Sequence, residues 1–194
     1  MRNRVLVCSA LTALAVVMGG SFALTGQEAN HQFWNEKEKT FTVDVALDGK
    51  TLVVNHVDPS QGPETQFRGD TLVIDGTVYP AGTLPSGTAN NDPNAPGGIG
   101  KIRCRASALV PLSDLQTPAA TFVTEMYSLP NDKQMIIVDG PGANLYATVR
   151  RAVLGGTQYF DGVTGEVIEQ NLGVNATNVC NLRITFKLRK SHYR

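Results

Sequence analysis

Residues 181–189 alternate without a break: Leu182, Ile184, Phe186 and Leu188 fall on one face, and Asn181, Arg183, Thr185, Lys187 and Arg189 on the other. A period of two suits a strand with one buried face and nothing else. The same period sets Phe41, Val43, Val45 and Leu47 against Thr42, Asp44, Ala46 and Asp48, and Val123, Glu125, Tyr127 and Leu129 against Phe122, Thr124 and Met126. Residues 145–154 alternate too, and 51–57, 102–110, 135–138 and 165–172 read as further strands. Between 70 and 79, Leu72-Val73-Ile74, the turn signal Asp75-Gly76 and Val78-Tyr79 predict a tight hairpin. Residues 111–119 have room for a helical turn before Pro118. With 19 Gly and 10 Pro to punctuate it, the chain carries about eight strands and no amphipathic helix. That pattern fits a closed barrel or a two-layer sandwich, which differ in whether edge strands stay open. No fixed repeat points to a propeller or solenoid.

The first 38 residues do not join this pattern. Arg2 and Arg4 precede an apolar run from Val5 to Val17, and Ser21-Phe22-Ala23 offers small residues for cleavage. This is the order of a secretory signal peptide, here residues 1–23, and the run is short of the roughly 20 residues a spanning helix needs. The alternative is an uncleaved anchor. Residues 24–38 read as a flexible leader and 39–190 as one β-barrel domain, interrupted by a Pro-, Gly- and Asn-rich loop at 80–100. The loop fits either a disordered excursion or a lid. Export makes the protein secreted, periplasmic or extracellular, with no membrane span after cleavage. Removing Cys8 leaves Cys104 and Cys180, which form either one disulfide or two separate thiols.

The charge balance, 17 Lys and Arg against 17 Asp and Glu, argues against a nucleic-acid partner, which wants a basic field. His31, His56 and His192 lie in unrelated segments, so the spacing offers no metal site. There is no Gly-x-Ser-x-Gly elbow and no phosphate-binding glycine loop. Cys104 sits between Arg103 and Arg105, but alternation sends both arginines to the opposite face, away from the thiol. Arg68-Gly69-Asp70 reads as a turn into a strand, and Asn175-Ala176-Thr177 as an exposed turn.

Residues 152–167, AVLGGTQYFDGVTGEV, followed by Asn178 and Asn181-Leu182-Arg183-Ile184-Thr185-Phe186, resemble the allene oxide cyclase and dirigent-like barrel superfamily, especially its exported bacterial members. Residues 68–79 and 99–105 agree in order, so the resemblance spans roughly 40–190. It implies an all-β, eight-stranded antiparallel closed barrel around an apolar lumen, and assembly as a homo-trimer or homodimer. One departure limits it. Plant allene oxide cyclases carry a glutamate-bearing stretch on the first strand, and Phe41–Asp48 lacks it, so no cyclase residue carries over.

The candidate site residues are therefore polar side chains set within apolar strands: Glu125, Tyr127, Asp44 and Glu166, with Arg151 of the same kind. A buried carboxyl there would have a raised pKa and could exchange a proton with a guest. The expected function is an exported barrel that binds a small apolar or aromatic molecule and steers a cyclisation or coupling. As an enzyme it would be a cofactor-independent cyclase or isomerase. The alternative is a non-catalytic carrier, or a surface or stress-related interaction protein.

Overall fold

The computed structural model describes residues 38–58, 60, 68–87, 91–109, 121–129, 134–142 and 148–190. The signal peptide, the leader up to residue 37 and the proposed turn at 111–119 lie outside them. Nine strands form one antiparallel sheet: β1 (Glu38–Leu47), β2 (Val53–Asn55), β3 (Thr71–Pro80), β4 (Gly100–Ala108), β5 (Thr121–Leu129), β6 (Gln134–Pro141), β7 (Val149–Gly156), β8 (Val163–Val174) and β9 (Cys180–Lys190). Their order is β1-β9-β8-β7-β6-β5-β4-β3-β2, and β1 also pairs with β3. That last pairing closes β1 and β3–β9 into an eight-stranded barrel, the closed alternative of the two that periodicity allowed. Closure removes the open edges that a sandwich would leave.

β1 and β2 together act as one interrupted strand. Val43 to Leu47 pair with Pro80 to Gly76, and Val53 to Asn55 continue along the same edge opposite Val73 to Thr71. A 3-10 turn at Gly49–Thr51, capped by the Asp48 carboxylate, takes up the extra residues. This is why the expected hairpin at 70–79 is instead a continuous strand. The backbone carbonyl of Asp75 accepts from the Asp48 N–H, and its N–H donates to Thr51 Oγ1. Gly76 has no side chain because a Cβ there would sit 2.6 Å from the carbonyl oxygen of Ala46. The glycine records a close approach between strands, not a turn.

Alternation then sorts the side chains. Val43, Val45, Val78, Ile102, Tyr127, Ile136, Val138, Val167, Ile184, Phe186 and Leu188 fill the lumen. The segment after β3 is described at residues 81–87 and 91–99. It lies as a strap on the outer wall, where Leu84 packs with Ala46, Tyr79 and Leu172. Leu172 faces this layer by alternation, since Val167, Glu169 and Asn171 pair with the inward Phe186, Ile184 and Leu182, and Gly173 leaves room for the backbone of Gly87. Polar groups pin the strap. The Asp44 carboxylate accepts from the Leu84 N–H at 2.9 Å and from Arg183 Nε at 2.8 Å. The Tyr79 hydroxyl lies 2.9 Å from the carbonyls of both Pro93 and Ala95.

Replacing Asp44 with Ala leaves the Leu84 N–H and the Arg183 guanidinium without their acceptor. The expected cost is about 2 to 4 kcal/mol, read as a lower urea midpoint with an unchanged slope. Asp44→Asn keeps one acceptor and should lose less. Equal losses in the two variants would contradict the pinning role.

Candidate functional site

The lumen has two unequal halves. Toward one mouth, which we call the closed mouth, an aromatic series runs inward. The 3-10 turn Gln158–Phe160 tucks Phe160 beneath the rim. Phe160 stacks on Phe41 with centroids 6.1 Å apart, Phe41 on Phe186 at 4.7 Å, and Phe186 meets the edge of Tyr127 at 5.0 Å. Tyr127, Phe186 and Leu188 are fully buried there. Toward the other end the inward residues are Ile74, Cys104, Ala106 and Val123, with the partly buried Leu47, Leu52, Leu72 and Val179 packed against them. All four are buried, and they are smaller than the aromatics at the opposite end.

Where the halves meet lies a buried polar cluster. Glu125 projects from β5 between Val123 and Tyr127, Arg151 from β7 between Val149 and Val153, and Glu169 from β8 two residues beyond Val167. Arg151 Nη1 donates to Glu125 Oε1 at 2.9 Å and to Glu169 Oε2 at 2.6 Å, and Nη2 to Glu169 Oε1 at 3.3 Å. Its Nε donates to the carbonyl of Pro141 at 2.7 Å, which fixes the plane of the guanidinium. The Tyr127 hydroxyl donates to Glu125 Oε2 at 2.7 Å. Cys104 faces Glu125 across the β4–β5 ladder.

Two carboxylates and one guanidinium carry a net charge of −1 when all are ionised, in a place where water screens little. Protonating one carboxyl neutralises the set. Glu125 takes that part: burial, then the charge of Glu169, pushes its pKa up to about 7, against the pull of Arg151. Burial opposes the charge on Arg151, but the two carboxylates outweigh it and hold the guanidinium protonated. Burial and the Glu125 charge keep the Tyr127 phenol protonated. Burial does the same to the Cys104 thiol, which is no nucleophile at neutral pH. Each Glu125 oxygen accepts one hydrogen bond and keeps a further lone pair. The arrangement therefore offers a carboxyl that gives or takes a proton near neutrality, beside a phenol donor.

Of the four expected site residues, the fold brings two together. Glu125 and Tyr127 are bonded to each other inside the lumen. Asp44 and Glu166 are on the other side of the wall. Asp44 is fully buried, but beneath the outer strap. Glu166 is exposed on the outer face, where Arg150 at 2.6 Å and Lys187 at 3.5 Å hold its carboxyl below the usual carboxylate range. The physical reason is parity: Asp44 lies between inward Val43 and Val45, and Glu166 directly precedes inward Val167. Glu169 joins Glu125 and Tyr127 without being one of the four; its spacing from inward Val167 is its mark in the sequence. Cys104 and Cys180 are separate thiols. Among the described residues no group of three or more His, Cys, Asp or Glu could hold a metal ion, and no helix is long and apolar enough to cross a membrane.

No family model and no curated protein matches the sequence. Solved structures do match in fold. Pyocyanin demethylase superposes with a TM-score of 0.51 at 16% identity, over 77% of this chain and 99% of that one. Two pterocarpan synthase dirigent proteins give 0.55 at 12% identity, over 82% and 99%, and 0.52 at 11%, over 84% and 92%. The likeness is one of fold, the dirigent-like closed barrel.

The raised pKa of Glu125 has a defined sign in stability. The native state holds this proton more tightly than the unfolded chain, whose carboxyl titrates near 4.5. The contribution is fully present below that value and is lost as pH rises through about 7, by up to about 3 kcal/mol. Thermal midpoints of the wild type should therefore fall across that window relative to Glu125→Gln. Parallel pH profiles would show that Glu125 titrates normally.

Proposed function

We propose that this dirigent-like barrel is an exported protein that binds a small apolar or aromatic molecule in the small-lined half of its lumen and steers a cyclisation or coupling against the Glu125 cluster. One observation carries the reading: Glu125 lies buried among the inward-facing side chains of the barrel, bonded to Tyr127 and Arg151, where burial pushes its carboxyl up to about 7. A surface role would not need it, and a purely structural cluster would be served as well by apolar side chains. The synthase activity named for two barrels of this fold is consistent with it.

The chemistry would follow from the geometry. A guest lying against Ile74, Cys104, Ala106 and Val123 would be held in one folded conformer, which lowers the entropic part of the barrier. Glu125 would donate or accept a proton at the guest's buried end, and Tyr127 would donate a hydrogen bond beside it. Arg151 would hold both carboxylates in place through the exchange. Because Glu125 and Tyr127 already pair, a guest acceptor would compete for the phenol proton or meet the carboxyl proton directly.

Native mass spectrometry of the protein purified from its source should reveal a retained small molecule. Ala106→Phe, which adds a ring against Ile74, Cys104 and Val123, should abolish retention while leaving the far-ultraviolet circular dichroism that of a barrel. Glu125→Gln should retain the molecule but lose about 10²- to 10⁴-fold in its conversion. Retention unaffected by Ala106→Phe would contradict binding in the lumen.

A further inference from the structure

A second ionisable pair stands on the same inner face, nearer the end of the barrel away from the aromatics. Leu72 and Ile74 turn inward from β3, and Leu72 packs against the small-lined half. By the same parity Asp70 turns inward. Gly69, with φ +97°, makes a bulge opposite Ala108: its N–H donates to the Ala108 carbonyl while the Ala108 N–H donates to the Asp70 carbonyl. The bulge ends β3 at the rim and aims the Asp70 side chain, which is 1% exposed, at the residue following β2. Its Oδ1 accepts from the Val57 N–H at 2.8 Å, and its Oδ2 lies 2.8 Å from His56 Nδ1. The His56 side chain is 14% exposed.

A carboxylate at Asp70 would accept from the Nδ1–H of His56, which makes Nε2 the ring nitrogen that a guest would meet. A ring oriented this way by a buried carboxylate is built to take a proton, because the imidazolium that results is matched by the charge beside it. At the neighbouring register positions of the same inner face, β3 and β4 present Leu72, Ala106 and Ala108, none of them titratable. Ile74 is level with Cys104 and Glu125 across two ladders, and Asp70 is four residues from Ile74. The two stations are therefore about 13 Å apart along the strand direction.

We propose that His56, oriented by Asp70, is the proton acceptor at this end of the barrel, serving guests that carry a hydroxyl group. The inference rests on the lumen reading above. In the step, the guest O–H bond breaks, an Nε2–H bond forms, and the electron pair stays on the guest oxygen. The proton returns when the product leaves. Glu125 serves the buried end of the same guest, so the lumen works as an acid–base pair with the guest between.

Two probes test this on the full chain: para-nitrophenol, whose phenolate absorbs at longer wavelength than the phenol, and its methyl ether para-nitroanisole, which has no proton to give. The pH is set where free para-nitrophenol is mostly protonated. Bound to the wild type, para-nitrophenol should show the phenolate band. His56→Gln, which can still bond Asp70, should lower the bound phenolate fraction about tenfold or more, with para-nitroanisole affinity unchanged. Asp70→Asn, which keeps an acceptor for the Val57 N–H, should also lower it. If both probes bind and His56→Gln keeps the band, or if Glu125→Gln alone removes it, the assignment of His56 is overturned and the lumen reading stands. If para-nitroanisole binds the wild type but para-nitrophenol shows no phenolate, the assignment likewise fails. If neither probe binds the wild type, both are overturned.

Discussion

The Arg151 guanidinium bridging Glu125 and Glu169 is the interaction on which this lumen depends. Three charged side chains cannot be taken from water one at a time into an apolar cylinder; each alone would cost several kcal/mol. Together, with Tyr127 and the Pro141 carbonyl completing their hydrogen bonds, they form a closed set supplied by three strands. The set requires β5, β7 and β8 to be in one register, since a one-residue slip would send each charged group to the outside and an apolar neighbour to solvent. It also divides the barrel. One side is packed with aromatics, and the other holds Ile74, Cys104, Ala106 and Val123 with aliphatic side chains packed on them. The proposed guest site lies on that second side.

Closure matters as much as chemistry. The barrel is completed by the β1–β3 pairing, and the outer strap covers the adjoining wall through Asp44, Arg183 and Tyr79. These buried polar contacts lie on the dry outer side of the wall and serve stability. The luminal polar contacts serve a different end, because one of their members is held near its titration point. Burial alone therefore does not identify a site: Asp44 and Glu125 are both almost wholly buried, and only the side of the wall on which each lies tells them apart.

Much of this was legible in the sequence, for a physical reason. Strands with one buried face alternate, so the elements at 41–47, 121–129 and 181–189 could be read directly, and closure into a barrel followed from the resemblance carried by residues 152–167. The same alternation separates luminal from outer polar residues. Glu125 and Arg151 are each flanked two residues away on both sides by inward-facing side chains, whereas Asp44 has Thr42 and Ala46 at those positions and Glu166 has Thr164 and Ile168. Glu169 shares the face of Val167. What local pattern does not carry is the strap, because its burial comes from partners distant in sequence, 40 residues for Leu84 and Asp44 and 90 for Asn91 and Asn181. It also does not carry the fate of Asp75-Gly76. A glycine needed for close strand approach looks like one needed for a turn until the neighbouring strand is in place.

The central claim is that the lumen holds a carboxyl poised between its two protonation states at neutral pH. Carbon-13 NMR of glutamate carboxyls, titrated in the folded protein, addresses it most directly. The account predicts one resonance that titrates near 7 and is missing in Glu125→Gln. If every glutamate carboxyl has finished titrating by about pH 5, as unperturbed groups do, the floor of the lumen is a fixed ion cluster and the proton-transfer reading is contradicted.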